Sequence, residues 1–562
     1  MVSATSTLSA LRTALRERVR TDTRSLALFR IALALLILAD LFLRSRNFSY
    51  FYTEAGPVPQ SLATIALPAD VPAVYFLTTD PAGTAALFVL HGVLAVLLLV
   101  GYHTRIVTAL SFVFVLSLDL RNPLVLSYAD TLFAWLLFWA IFLPLGERWS
   151  IDAVHVDRES RASVASIGSA LALFQMITMY TVNGYHKSGS DLWTSGEAAV
   201  LVFGLDDMTF LLADSLHAVP SLLQAGGLAW YYMLSVSGLL VLAHGRFRTG
   251  LVSIYMVAHL SFAVTVRIGA FAFVALAGLL LFLQSSFWDD LSAVAQRLSL
   301  PTTTATTTTT ADTHRTVHTR LPLARRYRSH RILSTATATA TETATAIATH
   351  LPRLRLEYTA NLTHRIRHNP ARTVAATVVA LGAVVALVSV LSAGGLVSDE
   401  VDPATEIERG ATGFIDHQTE WSIFAPEPRT TDRYYVFPAE TASGERFDVY
   451  NDRALSFDRP YDNLQHQYET YRERFYMNSV GSADPPETTA LLAEHICTEW
   501  NEAHDGGDEL THLTMYQVQE EVTRETIGTP DERDRSAVLL YKHGCDDNEP
   551  IEIVDPERDG MP

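Results

Sequence analysis

Ser25-Leu-Ala-Leu-Phe-Arg30-Ile-Ala-Leu-Ala-Leu-Leu-Ile-Leu-Ala-Asp40-Leu-Phe-Leu-Arg44 runs for twenty residues with only three charges. Wound as a helix, such a run rises about 30 Å, the thickness of a bilayer's hydrocarbon core. It reads as a first membrane span. The 24 residues before it are rich in charge and no cleavage site follows it, which argues against a removable signal peptide. Similar apolar runs recur at about 83–101, 106–120, 126–145, 164–183, 227–244, 250–267, 270–287 and 373–396, although Asp119, Arg121 and Asp130 interrupt the third and fourth. The fold class expected is mainly α, a polytopic membrane helical bundle of about nine spans with a small external α+β C-terminal domain.

Arginine placement gives the bundle a direction. Arg12, Arg16, Arg18, Arg20 and Arg24 precede the first span, Arg105, Arg148, Arg158, Arg161, Arg246 and Arg248 lie in later turns, and residues 288–372 carry a dozen more. With nine spans these segments share one side, the cytoplasm, because basic flanks are retained there. The loops 45–82 and 184–226 and the tail 397–562 then face outward, in a multi-pass protein of the cell membrane. The domain scheme is 1–24 cytoplasmic, 25–295 the main transmembrane domain, 296–372 a linker, 373–396 a final span and 397–562 an acidic external domain. Thr302-Thr-Thr-Ala-Thr-Thr and Ser334-Thr-Ala-Thr-Ala-Thr-Ala make the linker low in complexity, and disorder is expected there.

The tail holds 38 Asp/Glu against 13 Lys/Arg, and the whole chain carries a formal charge of −18. Excess acid with scarce lysine resembles adaptation to high salt, the composition of a halophile, in which solvated carboxylates maintain solubility. A nucleic-acid partner would need a basic face, and none is present. Short strand-like pieces (Tyr434-Tyr-Val-Phe and Arg446-Phe-Asp-Val-Tyr) and helical ones near 461–476 and 486–503 suggest the α+β tail. Both cysteines, Cys497 and Cys545, lie in it, either bonded in an oxidising exterior or as two buried thiols.

Only two lysines occur in the chain, Lys542 in the tail and Lys187 beside an apolar run. Unlike arginine, a desolvated lysine can release its proton and act as a base. A snorkelling interfacial anchor explains the same position. Arg30 and Asp40 lie ten residues apart, too far to pair with each other, and read as structural groups, either paired between helices or snorkelling to the interface. His91 in the second span reads as a satisfied bundle histidine. His259 has the same structural reading, but stands one helical turn from Tyr255 in a span expected to pack near the lysine loop. No cluster has metal-ligand spacing and no phosphate-binding glycine loop appears.

Several short motifs now carry a resemblance. Phe29-Arg30 followed by Asp40, Gly101-Tyr-His-Thr-Arg105-Ile106, Glu147-Arg-Trp149-Ser-Ile-Asp152, the loop from Asn183 to Gly196, and His259 followed by Ile268-Gly269 occur in order. Together they resemble the vitamin K-dependent γ-glutamyl carboxylase superfamily, and in particular its microbial branch, the horizontally transferred transmembrane domain (HTTM) proteins. Trp421 and Phe424-Ala-Pro-Glu-Pro428 resemble the tail of many such proteins. There are departures: an extra residue separates Asp191 from Trp193, Leu126-Ser-Tyr-Ala-Asp130 stands where the carboxylases begin a span with Asn-His, and the external domain is short.

The resemblance implies a quinol-dependent enzyme that modifies exported proteins. In it, Lys187 would deprotonate a reduced naphthoquinone, menaquinol or vitamin K-like, with His186 and His259 assisting. Tyr180, Tyr185, Trp193 and Tyr255 would line the cofactor site, Arg267 would balance substrate charge, and no metal is implied. The partners expected are membrane lipids and an exported protein or peptide. The alternative is a non-catalytic scaffold or a maturation or export partner built on the same bundle.

Overall fold

The computed structural model describes residues 12–65, 73–298 and 421–554. The expected ninth span, the low-complexity stretch and residues 397–420 lie outside them. The described part is mainly helical, followed by a C-terminal β-sheet region. Thr23–Arg46 forms α1, Pro81–Val100 α2, Thr104–Arg121 α3, Tyr128–Ala140 α4, Ile167–Lys187 α5, Pro220–Ser235 α6, Gly245–Ala263 α7, Phe271–Leu279 α8 and Ser285–Leu298 α9. Among the described residues, only α1 and α2 are each long and apolar enough to cross a membrane by themselves, and Phe271–Phe282 with Ser285–Arg297 passes as one pair bent by 98°. The remaining expected spans fall on helices that are shorter or more polar. The run at 126–145 is helical only over Tyr128–Ala140, and that at 227–244 breaks after Ser235.

Local chemistry sets these boundaries. Asp22 caps α1 by accepting from the Arg24 amide at 2.8 Å, and Asp80 caps α2 just before Pro81. Asp130, which interrupts an apolar run, belongs to a capping box in which Ser127 and Asp130 satisfy each other's amides at the start of α4. Ser166 and Ser169 do the same for α5. Neutralising the exposed amides this way lets a helix begin where little water is available.

The charges inside the apolar runs find partners. Arg30, fully buried, donates to the carbonyls of Leu145, Leu99, Arg148 and Trp149. Asp152 accepts from the amides of His103 and Thr104 at 2.8 and 2.7 Å. Gly101 closes α2 at φ +69°, and a Cβ there would lie 2.5 Å from the Arg30 guanidinium. Three motifs, separated in sequence, thus form one structural knot.

A second buried knot ties the bundle to the tail. Arg44 of α1 bonds Asp40 at 2.7 Å and Asp119 at 2.5 Å. Arg472, from a tail helix spanning Tyr471–Ser482 (α10), reaches Asp130 at 2.7 Å, Asp40 at 2.5 Å and the Val125 carbonyl at 3.0 Å. Isolated charges at this depth would be costly, and five groups sharing them offset that cost.

The tail is α+β. Thr21–Asp22 (β1) and Ser163–Val164 (β2) pair within the bundle, and a separate six-stranded antiparallel sheet belongs to the tail. Thr431–Val436 (β3) and Pro438–Thr441 (β4) both lie along Leu510–Glu521 (β7), with a register shift between Glu440 and Thr441, and Arg446–Asp448 (β5) and Arg453–Ala454 (β6) lie beyond β4. Arg535–Gly544 (β8) covers the other edge of β7. The helix expected at 461–476 lies instead at Tyr471–Ser482, because Thr470 caps it by accepting from the Glu473 amide at 3.2 Å. Glu487–Ala503 (α11) matches the second expected helix, and Cys497 is bonded to Cys545 across a separation of 48 residues.

Candidate functional site

Tyr180, Asn183 and Lys187 are spaced by three and four residues near the end of α5, which puts them on one stripe of the helix. The stripe borders a cavity of about 500 Å3 whose other walls include Trp193, Trp230, Phe262 and Phe424. A volume of this size is ordinary for a small-molecule site, as is an apolar wall with few polar groups.

Lys187 is 1% exposed and has no carboxylate partner among the described residues. Its Nζ donates to the carbonyls of Ile423 and Phe424, the latter at 3.2 Å, and lies 4.0 Å from the centre of the Trp193 ring. The indole Nε1 of Trp193 donates to the same Phe424 carbonyl at 2.8 Å. Asn183 donates to the carbonyls of Trp421 and Ile423 at 2.7 and 3.0 Å. The tail segment aims these carbonyls at α5 through left-handed conformations at Trp421, φ +47°, and Phe424, φ +52°. Such backbone is unfavourable by roughly 1–2 kcal/mol per residue, so the contacts that hold it are substantial. Ser190 adds a 2.7 Å bond to Glu427.

Behind the cavity wall, the Tyr180 hydroxyl and His259 Nε2 are 2.8 Å apart, both side chains buried. His259 Nδ1 has no partner among the described residues. Tyr255 packs at a tilt against Tyr180, with ring centres 5.2 Å apart, and donates to the Met233 carbonyl. Tyr180, Lys187 and Trp193 therefore meet at the cavity, and His259 and Tyr255 stand one layer back.

The remaining expected residues lie elsewhere. Tyr185 is 54% exposed and His186 packs edge-on against it; neither lines the cavity. Both fall between Asn183 and Lys187 in sequence, where the helical turn carries their side chains off the Tyr180–Asn183–Lys187 stripe. Arg267 borders a different groove and lies over the Phe210 ring. The tail's contribution of Ile423 and Phe424 was not legible from the lysine loop, which is more than 230 residues away in the chain. The tail motif was visible in the sequence, but nothing in its spacing identified its partner. Among the described residues, no group of three or more His, Cys, Asp or Glu is arranged to hold a metal.

Residues 19–288 match the HTTM domain family. The chain carries an HTTM domain. The matched stretch contains the Arg30–Gly101–Asp152 knot and every residue of the cavity except those given by the tail. The match agrees with the resemblance to the vitamin K-dependent carboxylase superfamily, and with the long apolar helices it points to a membrane protein. No curated protein and no solved structure matches the chain.

Proposed function

We propose that this HTTM protein is a multi-pass enzyme of the cell membrane that uses a lipid-soluble quinol to modify exported proteins, with Lys187 as general base. The observation that carries this reading is an amine buried at the end of an apolar cavity, with no carboxylate to hold its proton among the described residues. Burial without a counter-ion favours the neutral form of an amine, which is the form a base requires. A reduced naphthoquinone, when bound, supplies an acidic phenol and an oxygen-sensitive ring. The residues suit such a ligand: the walls are aromatic and aliphatic, and Lys187 and Asn183 are the polar groups on the α5 stripe. With such a ligand bound, Lys187 Nζ would accept the phenolic proton and the walls would exclude water, while the Tyr180–His259 pair fixes the wall from behind.

Sidedness belongs to the same proposal. Placing the N-terminus in the cytoplasm and the tail outside is supported by the arginine distribution and by the disulfide, which persists in an oxidising compartment. The tail also docks on segments around residues 47–51 and 204–207, which the arginine pattern puts on the outer side.

A scaffold reading is favoured by one specific observation: Lys187, Trp193 and Asn183 together clamp the tail at 421–424. In that reading the lysine is a fastener and its proton never moves. Mass spectrometry of exported proteins from cells with and without the protein separates the two. The enzyme reading expects glutamates bearing an added carboxylate only when the protein is present, and their absence from both samples argues for the scaffold.

A further inference from the structure

A second cavity, of about 730 Å3, lies across the 264–270 turn from the Lys187 site, and Val266 borders both. It is a groove between α1 and α8, open on one side. Along α1 it extends from Leu43 and Asp40 to Ala32, and along α8 it extends from Gly269 to Leu280. At 1.5 Å per residue the α1 side measures roughly 16 Å, about half the hydrocarbon core and the depth of one leaflet's acyl chain. Leu35, Phe273 and Leu276 make its walls apolar.

The polar groups gather at one end. The guanidinium of Arg267 lies over Phe210, and no acidic partner faces it among the described residues. The Tyr471 hydroxyl is buried and has no hydrogen-bond partner there. Asp40 borders the groove too, but Arg44 and Arg472 hold both of its oxygens. Arg474 brings another cation close by donating to the Arg267 carbonyl at 2.9 Å. The end of the groove thus offers an unpaired positive charge and a free hydroxyl to an anion, while the length below it offers only apolar surface.

We propose that this groove binds a single anionic membrane lipid, its phosphate at Arg267 and Tyr471 and one chain along α1 and α8. Phosphate suits a guanidinium and a phenol together, since both donate to its oxygens. The inference rests on the membrane placement proposed above, but not on any chemistry at Lys187.

The test uses the full-length protein in nanodiscs of phosphatidylcholine with a minority of phosphatidylglycerol, followed by native mass spectrometry of the lipid retained after transfer to detergent. The expected result is one phosphatidylglycerol per chain, enriched about tenfold over the disc composition, which corresponds to one charge-assisted contact. Arg267→Gln should return the retained lipid to the disc composition. Ala39→Trp, at an exposed position on the open side of the groove, should reduce retention of both lipids while leaving the packed core alone. Lys187→Arg should leave the retained lipid unchanged, which separates this site from the proposed catalytic one. Retention at the disc composition by the unaltered protein, or enrichment that survives Arg267→Gln, would overturn the proposal. So would displacement of the lipid by millimolar inorganic phosphate, because the apolar groove would then contribute nothing.

Discussion

At the scale of single residues, the charged groups within apolar runs divide into two kinds. Arg30 is structural: it binds helix-end carbonyls and holds the turn at Gly101 against the turn at Trp149. Its cost in an apolar run was legible in the sequence, and so was its need for a partner. That the partners are carbonyls was not, because backbone groups leave no mark in the pattern of side chains. Gly101→Ala should destabilise the fold by about 2–4 kcal/mol, combining a left-handed backbone with a Cβ driven onto Arg30. A thermal melt in detergent should register the loss, and an unchanged midpoint would remove the knot from the account. Lys187 is the other kind. Its rarity and position made it conspicuous in the sequence, yet its carbonyl partners come from the tail and appear only once the chain is folded.

Glu473 gives the residue scale a pH signature. It lies in the tail, where burial pushes its carboxyl up from an ordinary 4.5 to about 7, with amides of Glu469 and Thr470 and the Tyr450 hydroxyl opposing the shift and Glu469's charge adding to it. The folded tail therefore holds a proton that an unfolded glutamate has already lost between pH 4.5 and 7. Stability contributed by that proton is complete below pH 4.5 and lost as pH rises through 7. Glu473→Gln should stay protonated in effect at every pH and flatten this part of the stability profile. Comparing melts of the two proteins at about pH 5 and 8, either side of the shifted value, checks it; parallel profiles would contradict the assignment.

Among elements, the docking of α10 on the bundle is the contact the sequence concealed most completely. Asp119 and Asp130 read as interruptions of membrane spans, and no pattern in the sequence singled out Arg472. They are parts of one buried network with Asp40 and Arg44. Period and hydropathy describe each segment alone, whereas this network joins residues hundreds of positions apart. Arg472→Leu should leave Asp130 and Asp40 short of a partner and cost about 3–5 kcal/mol. Limited proteolysis should then release the tail faster than from the unaltered protein, and equal rates would show that the network does not hold it. The helical character of the bundle and the α+β tail were legible, because apolar runs and short aromatic strands mark them directly. The start of α10 was misjudged because Thr470, a capping residue, decides it and the apolar pattern does not.

On the scale of the whole molecule, the tail and the bundle share one buried surface. The tail supplies the last wall of the Lys187 cavity as well as Arg472, so anything that frees it also opens the site. Protease added to intact cells should cleave the tail if it faces outward, and protection until lysis would reverse the proposed topology. The proposed chemistry is tested most directly by oxygen uptake in proteoliposomes supplied with a reduced naphthoquinone. The unaltered protein should consume oxygen in a quinol-dependent way, and Lys187→Arg, which keeps the charge but cannot yield its proton, should bring uptake to background while the tail remains docked. Uptake equal to the unaltered protein's in Lys187→Arg, or none in either, would contradict a base at Lys187.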